Sequence, residues 1–200
     1  MKKLVLGAAI AMSSLTFAQQ FGIKAGMNVS SLSKDAGLDD SKSKIGFNAG
    51  LFMNAPLGQN FSIQPEILYN NLGDKVSYKN LAGNEYASVA RNLDYIAVPV
   101  MFQYNATPEF YLEAGPEFGF LVNAKVKTDN SVLNTTTTSS LDTDAYKDFN
   151  MGIGLGAGYY FTPKIGLTAR YVAGLTDVYS SNNGDKVKNN NFQVGLAYKF

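Results

Sequence analysis

The sequence contains no cysteine, no histidine and no tryptophan. Without cysteine there is neither a disulfide framework nor a thiolate site. Without histidine the chain cannot build a Ser-His or Asp-His arrangement, and it lacks the commonest transition-metal ligand. No Gly-x-Ser-x-Gly, P-loop or GxGxxG motif occurs either. The sequence therefore predicts a protein that is not an enzyme, with no catalytic residues, no cofactor and no metal site.

Charge is also scarce, because only 16% of the residues are charged, against about a quarter in soluble domains. No window after the first twenty residues holds 18 consecutive apolar residues, so no transmembrane helix is expected there. What is abundant is Gly, Tyr and Phe, with 19, 12 and 13 residues. At 200 residues the chain is long enough for one domain or one closed barrel.

The first 18 residues have the pattern of a secretory signal peptide. Met1-Lys2-Lys3 is basic, Leu4 to Leu15 is apolar, and Ala18 is a small residue suited to cleavage before Gln19. The apolar stretch is shorter than the roughly 20 residues of a spanning helix. Cleavage would remove Lys2 and Lys3, so that 15 of the 17 basic residues and all 16 acidic residues remain. This near-neutral balance predicts no basic surface for nucleic acid.

From Phe21 onward the apolar residues recur with a period of two, which indicates strands. Eight segments show this alternation, and the sixth is the clearest because every second residue from Gly152 to Gly158 is glycine. Phe52 is an exception within the second segment. The predicted segments are 21–29, 45–53, 61–70, 93–104, 110–120, 149–159, 165–175 and 192–200.

Short and long connectors alternate along the chain. The short ones, 55–60, 105–108 and 161–163, carry Pro, Gly or Asn turn residues. The long polar ones are 30–44, 71–91, 122–148 and 176–190, and the run Thr135–Ser140 is expected to be a loop tip. This alternation is typical of outer-membrane barrels. The predicted fold is all-β: an eight-stranded antiparallel up-and-down transmembrane β-barrel, residues 19–200, with short periplasmic turns and long extracellular loops.

The two rows of each strand differ in a way that separates a membrane barrel from a soluble one. The apolar row carries no charge within the eight segments, whereas the other row is mostly Gly, Ser, Asn, Gln and Thr. A water-facing exterior would be rich in Lys, Glu and Asp, while small polar side chains suit the narrow interior of an eight-stranded barrel. The apolar row is therefore predicted to face lipid, with aromatic residues near the strand ends as girdles.

The last strand ends in an alternating apolar pattern that resembles the C-terminal signal read by the barrel assembly machinery. The residues that carry this resemblance are Phe192, Val194, Leu196, Tyr198 and Phe200. It implies that this machinery is a partner during biogenesis.

Several runs resemble the outer membrane β-barrel domain family of Bacteroidetes, often labelled "porin family" or PorT-like. They are Phe21–Asn28, Ile63–Tyr69, Tyr95–Val100, Tyr111–Pro116 and the Gly-rich Gly152–Tyr159. The resemblance covers nearly all of residues 20–200 and implies an outer-membrane barrel, with little implied about function. The family usually has a carboxylate where Ala97 stands.

One polar constellation falls on the rows predicted to face inward: Lys24, Glu66, Glu113, Glu117, Arg170 and Lys199. Paired carboxylates can serve acid/base chemistry, but a structural ion-pair network, in which each charge offsets the burial of another, is the favoured interpretation. The acidic residues Asp35, Asp39 and Asp40 lack EF-hand spacing, and a solvated loop is favoured over a calcium site.

Three functions fit these patterns. The favoured one is a structural or interaction barrel with a largely filled lumen that displays loops to an unknown extracellular or periplasmic partner. The second is a narrow porin-like channel for ions or small solutes, although a general diffusion channel needs about 16 strands. The third is a soluble periplasmic lipocalin-like barrel that binds a ligand. In the first two, outer-membrane lipid surrounds the chain.

Overall fold

The computed structural model describes residues 19–34, 42–79, 85–130, 135–140, 146–178 and 187–200. The predicted signal peptide at 1–18 lies outside the described residues, as do Asp35, Asp39 and Asp40. Within the described ranges no helix is long and apolar enough to cross a membrane.

Nine strands make up the described part of the chain, joined by antiparallel pairings. Eight of them are long and alternate between large apolar and small or polar residues, a pattern that suits a sheet with two different faces. The ninth, β6, is short. The strands are β1 Gln20–Lys34, β2 Lys42–Pro56, β3 Phe61–Lys79, β4 Glu85–Asn105, β5 Phe110–Asn130, β6 Thr135–Ser140, β7 Phe149–Tyr160, β8 Ile165–Gly174 and β9 Val187–Lys199.

The pairings form a ring. The order β4-β3-β2-β1-β9-β8-β7-β5 is continued by a further pairing between β4 and β5, so each of these eight strands has two neighbours within the ring, and β5 also pairs with β6. At the junction of first and last strand, β1 pairs with β9, and the Phe200 amide donates to the Phe21 carbonyl at 2.9 Å. Such pairing satisfies backbone groups that an open edge would leave exposed.

Seven of the eight predicted strands are longer than predicted, β8 ends one residue earlier, and one further strand is new. The prediction that Thr135–Ser140 is a loop tip is wrong, because this run is β6 and pairs with residues 125–130 of β5. The predicted loops 30–44, 71–91 and 122–148 are also partly strand, since β3 and β4 stay paired from Phe61 opposite Tyr104 to Lys79 opposite Glu85. Cross-strand backbone pairing here extends beyond the apolar alternation that the prediction relied on.

The short connectors lie within two residues of their predicted positions. They are residues 57–60, 106–109 and 161–164. We call the end of the ring that carries them the turn end, and the opposite end the loop end. Both the beginning of β1 and the end of β9 lie at the turn end, because Gln20 pairs with Asn54 and Gly22 with Lys199.

The apolar row faces outward and the polar row faces inward. Leu155 is 66% exposed and Ile45 67%, whereas the inward Asn28 and Asn70 are 0% exposed. This orientation matches the prediction and contradicts the lipocalin-like alternative, which requires the apolar row to be inside.

Candidate functional site

Four charged side chains meet at mid-height inside the ring. Lys24 lies on β1, Glu66 on β3, Glu113 on β5 and Arg170 on β8, and none is more than 5% exposed. In the order of pairing these are alternate strands of the eight-membered ring. Inward side chains of small barrels stack in layers contributed by alternate strands, and here one such layer is ionic.

Glu66 is the centre of this layer. Its Oε1 accepts hydrogen bonds from Lys24 Nζ at 2.8 Å and from Arg170 Nη2 at 2.7 Å, and its Oε2 accepts from Arg170 Nη1 at 2.9 Å. Strands β3 and β8 are four steps apart in either direction around the ring. The two-pronged pair of Arg170 and Glu66 therefore crosses the interior from one side to the other.

The same guanidinium reaches a second carboxylate. Arg170 Nε donates to Glu113 Oε1 at 2.7 Å, so all three of its nitrogen positions are used. Two cations and two carboxylates then balance in charge. A buried ion costs several kcal/mol to desolvate unless partners compensate it, and this layer supplies those partners.

Neutral side chains extend the layer towards the turn end. Gln64 Nε2 donates to Glu66 Oε1 at 2.7 Å, and Gln103 Nε2 donates to Glu113 Oε2 at 3.0 Å. Asn54 Nδ2 connects them, with 2.7 Å to Gln103 Oε1 and 3.2 Å to Gln64 Oε1. The carboxylate oxygens are thus held by fixed donors, as a fully satisfied buried network requires.

Glycine on the intervening strands makes room for the charged groups. Gly156 pairs with Glu113 on one side and with Arg170 on the other. A Cβ on Gly156 would lie 3.0 Å from Glu113 Oε1, and one on Gly154 would lie 2.8 Å from the Met101 Cε. The Gly-rich pattern of β7 therefore reflects a crowded interior.

An aromatic cluster fills the interior between this layer and the turn end. It consists of Phe52, Tyr111, Tyr160 and Ala197, all buried. The rings of Tyr111 and Tyr160 have centroids 6.1 Å apart. Phe52 departs from the alternation of its segment because it lies on the inward row of β2, where it is part of this cluster. We call this group the turn-end plug.

A larger apolar cluster fills the loop end. It combines residues of five strands with two from neighbouring segments, and Leu93 and Tyr95 are at most 2% exposed. Leu72 lies six residues beyond Glu66 along β3, which places the cluster on the far side of the ionic layer. Its members are Leu32, Leu72, Leu93, Tyr95, Ala124, Tyr146, Val178 and Val187; we call it the loop-end plug.

Two of the six charged residues predicted for the network lie elsewhere. Lys199 is nearer the turn end, where its Nζ lies 3.8 Å from the centroid of the Tyr160 ring. Glu117 is 6% exposed, and its Oε2 has no hydrogen-bond partner in the part of the chain that the structure describes. The prediction that all six residues form one ion-pair network is therefore wrong for Lys199 and Glu117. Alternation placed these residues on the correct row but could not give their height in the barrel.

Sequence reasoning did not single out the amides of the layer or the two plugs. Gln64 and Gln103 were visible only as polar residues on inward rows, and their partners depend on register. Ala97, where a carboxylate is usual in the resembling family, is 1% exposed. The five residues of the predicted C-terminal signal lie on the outward row of β9 and at its end, each at least 38% exposed.

Nothing in the described ranges points to a metal centre, since no group of three or more potential ligands is found there. Acid/base chemistry by Glu113 and Glu117 is the less favoured interpretation of the sequence, and among the described residues the two carboxylates share no hydrogen-bond partner. Glu113 is held by Arg170 and Gln103, and neither bonds Glu117.

Comparison with known proteins agrees with this architecture. Residues 17–180 match the outer membrane protein β-barrel domain family, while no curated protein matches the chain. Among solved structures, the attachment invasion locus protein Ail of Yersinia pestis is similar, with a TM-score of 0.51, 14% identity, and coverage of 92% of this chain and 100% of that chain. Neisserial surface protein A is similar with a TM-score of 0.53 and 16% identity, and the match covers 92% of this chain and 100% of that chain. At these identities the similarity concerns the fold alone.

Proposed function

The chain belongs to the outer membrane protein β-barrel domain family, and we propose that it is a closed, eight-stranded transmembrane barrel whose filled lumen serves as an anchor for exposed loops. As an outer-membrane protein it has lipid as its surroundings, and the uncharged outward row meets hydrocarbon. The turn end is periplasmic, and the loop end faces the outside of the cell.

One observation carries this proposal: the interior is occupied at three successive heights. The turn-end plug, the ionic layer and the loop-end plug each consist of buried side chains. An eight-stranded barrel is only just wide enough for its side chains to fill. The Arg170–Glu66 pair spans the interior at its middle, so the proposed role of the network is structural.

The exposed apolar residues of the outward row form a band around the ring, which we call the apolar belt. The proposed interaction surface is the part of the sheet at the loop end, beyond this belt. Strands β3, β4, β5 and β6 continue there as a paired sheet, with Lys75 opposite Ala90, Ala90 opposite Lys127 and Lys127 opposite Thr138. All six residues of β6 are exposed. We propose that this paired extension presents the adjoining segments of the chain to an extracellular partner.

The proposal includes two narrower assignments. The signal peptide at 1–18 exports the chain, and the barrel assembly machinery reads the apolar row that ends at Phe200. The resemblance of runs such as Ile63–Tyr69 to PorT-like proteins of Bacteroidetes supports a place within that part of the family.

A narrow ion channel is the second candidate, and buried polar groups favour it. Within the described residues Glu117 Oε2, both polar atoms of the Asn70 side chain and Gln193 Nε2 are buried without hydrogen-bond partners. Unpaired groups of this kind are satisfied by water when the site is polar and large enough. A file of water along them would give a small, cation-selective conductance.

Single-channel recording separates the two functions. The refolded protein, its folded state verified by the heat-dependent shift of its gel band, is added to a planar bilayer. A filled barrel gives no steady openings. Small cation-selective openings that disappear in Glu117→Gln support the channel, and large steady openings contradict both a filled lumen and a narrow pore.

A further inference from the structure

We propose that the interior holds a binding site for one monovalent cation, such as Na⁺ or K⁺, in the space between the ionic layer and the loop-end plug. Glu117 supplies the charge, and amide oxygens from neighbouring strands supply further ligands. This inference rests on the proposed function, because a cation is retained in that space only if the barrel is closed and filled at both ends.

The proposed site lies on the loop-end side of the ionic layer. Glu117 is four residues beyond Glu113 along β5, and Asn70 is four residues beyond Glu66 along β3, which is about 13 Å in each case. Leu72 of the loop-end plug follows Asn70 on the same inward row. Both side chains are therefore enclosed between the ionic layer and that plug.

Contacts between strands bring the two side chains to the same part of the interior. Asn70 pairs with Tyr95 of β4, and a Cβ on Gly119 would lie 3.4 Å from the Tyr95 ring. Gly119 is on β5, two residues after Glu117. The same Cβ would lie 3.6 Å from the Cβ of Asn150 on β7. Asn70, Glu117 and Asn150 thus adjoin one space, and Gly119 leaves room on one side of it.

Amide side chains continue around the wall of this space. Asn48 pairs with Asn70 and donates to Asn28 Oδ1 at 2.6 Å, and Asn28 pairs with Gln193 of β9. Asn191 lies on the same inward row as Gln193, on its loop-end side. Each of these five amides is at most 5% exposed. Neutral oxygen and nitrogen groups therefore surround the carboxylate.

Several polar atoms in this space have no hydrogen-bond partner among the described residues. An unpaired polar atom that is buried destabilises the fold, so the arrangement requires partners that the described part of the chain does not supply. The oxygens are Glu117 Oε2, Asn70 Oδ1, Asn189 Oδ1 and Asn191 Oδ1, and the nitrogens are Asn70 Nδ2, Asn150 Nδ2, Asn189 Nδ2 and Gln193 Nε2.

The charge of Glu117 determines the kind of partner. In the ionic layer Lys24 and Arg170 balance Glu66 and Glu113, and none of these cations forms an ion pair with Glu117. A lone buried carboxylate is strongly unfavourable unless a proton or a cation neutralises it. One monovalent cation neutralises it, whereas a divalent ion would leave surplus positive charge close to Arg170 and Lys24.

The uncharged oxygens favour a cation over a proton. A proton would neutralise Glu117 but leave the amide oxygens of Asn70, Asn189 and Asn191 without partners. Carbonyl oxygens can replace the hydration shell of an alkali cation, and waters on that cation can accept hydrogen bonds from the amide nitrogens. Such a site needs only one carboxylate. It differs from a centre of three or more His, Cys, Asp or Glu side chains, which the described ranges do not contain.

Refolding the mature chain in different salts tests the site. The protein is folded into detergent at equal ionic strength in sodium chloride, potassium chloride or tetramethylammonium chloride, because tetramethylammonium is too large for the site. Urea unfolding then measures the folding equilibrium constant. A cation present at ten times its dissociation constant raises that constant about tenfold, and we expect a ratio of about this size or more between the better alkali salt and tetramethylammonium.

Two variants and a control locate the effect. Glu117→Gln removes both the buried charge and the cation, so its stability should be the same in all three salts. Asn70→Leu keeps the size of the side chain but removes an amide oxygen, and it should reduce the ratio even if Glu117→Gln fails to fold. Glu109→Gln removes an exposed carboxylate at the turn end and should retain the full ratio.

Two results overturn the inference. The first is a parent protein that is equally stable in all three salts, which would mean that no cation is bound. The second is an undiminished salt difference in Glu117→Gln or Asn70→Leu, which would be a general effect of the salts.

The failure of the inference is distinguishable from failure of the proposed function. If single-channel recording shows steady openings, the interior is open to both sides, and the filled barrel and the enclosed site fail together. If recording shows no openings and stability does not depend on the cation, only the cation site is refuted.

Discussion

Arg170 and Glu66 form a two-pronged ion pair between strands that lie on opposite sides of the ring, 104 residues apart in the chain. A pair that spans the interior ties the two halves of the sheet together. It places charge at the middle of the interior, between the turn-end plug and the loop-end plug. The contribution of each partner can be measured separately.

Arg170→Ala is expected to destabilise the barrel by about 3–5 kcal/mol, because it leaves Glu66 and Glu113 with too little positive charge. No enzymatic phenotype is expected. Urea unfolding and the temperature of the heat-induced gel shift measure the loss. Lys199→Ala is the matched control: it removes an inward cation outside the network and loses about 0.5–1 kcal/mol of cation–π attraction. Unchanged heat resistance in Arg170→Ala contradicts the structural role.

The two buried glutamates should differ when each is replaced by glutamine. Glu66→Gln leaves Arg170 and Lys24 undercompensated, and a loss of about 3 kcal/mol or more is expected. Glu117→Gln removes a charge that forms no ion pair with the described residues, so the free energy of unfolding should fall by less than about 1 kcal/mol or rise. Denaturant titration of both variants in the same detergent tests this, and equal losses would show that the network does not end at Glu113.

The glycines of β7 are predicted to be required for packing in the interior. A Cβ on Gly158 would lie 2.3 Å from the Tyr111 ring, so Gly158→Ala should shift the turn-end plug and cost about 1–3 kcal/mol. A Cβ on Gly58, in the first turn, would meet no atom of the described residues within 4 Å, and Gly58→Ala should be neutral or slightly stabilising. Unfolding free energies of the two variants test the idea, which fails if they respond alike.

The end of the β5–β6 hairpin should respond to pH. Thr136 donates to Asp129 at 2.7 Å, and this hydrogen bond, followed by Lys127, lowers the pKa of Asp129. The stabilisation is therefore complete above the unfolded pKa of about 3.9 and is lost as the pH falls through the lower folded value. The carboxyl carbon shift of Asp129 follows this titration by NMR. Thr136→Val should raise the pKa, and a midpoint that stays the same in this variant would refute the assignment.

Mature protein isolated from the cell envelope is predicted to begin at Gln19, since Ala18 is the small residue before the cleavage site. Mass spectrometry of the N-terminal peptide gives the answer directly. Replacing Ala18 with a bulky residue should leave the uncleaved form. An N-terminus at Met1 in the mature protein would show that the leader is retained.

Much of the fold could be predicted from the alternation of residues, because one physical rule determines it. From Phe21 to Val29, and likewise in seven other segments, one row of side chains carries no charge. Such a row can only face lipid or a core. The opposite row, rich in glycine, indicated which side faces the interior. Strand ends could not be predicted in this way. Beyond the predicted segments of β3 and β4 polar residues no longer alternate regularly with apolar ones, while backbone pairing continues to Lys79 opposite Glu85.

The site was harder to predict than the fold. The sequence gives the inward row on which Glu66, Glu113 and Arg170 lie, but contact between them depends on strand register and tilt. Those quantities decide that Gly156 separates Glu113 from Arg170 and that Lys199 lies at a different height. The run of threonines in β6 has no apolar row at all, and only its pairing with β5 makes it a strand.

Quenching of single tryptophans by brominated lipid tests the central claim most directly, because it reports both what lies outside the ring and what fills it. Leu51→Trp on the outward row should be quenched strongly, and Leu57→Trp in the first turn should mark the edge of the bilayer with weaker quenching. Tyr111→Trp, within the turn-end plug, should be shielded from both brominated lipid and aqueous iodide. An unquenched Leu51→Trp, or a Tyr111→Trp that lipid quenches as strongly as Leu51→Trp, would contradict a barrel with its apolar row in hydrocarbon and its interior closed.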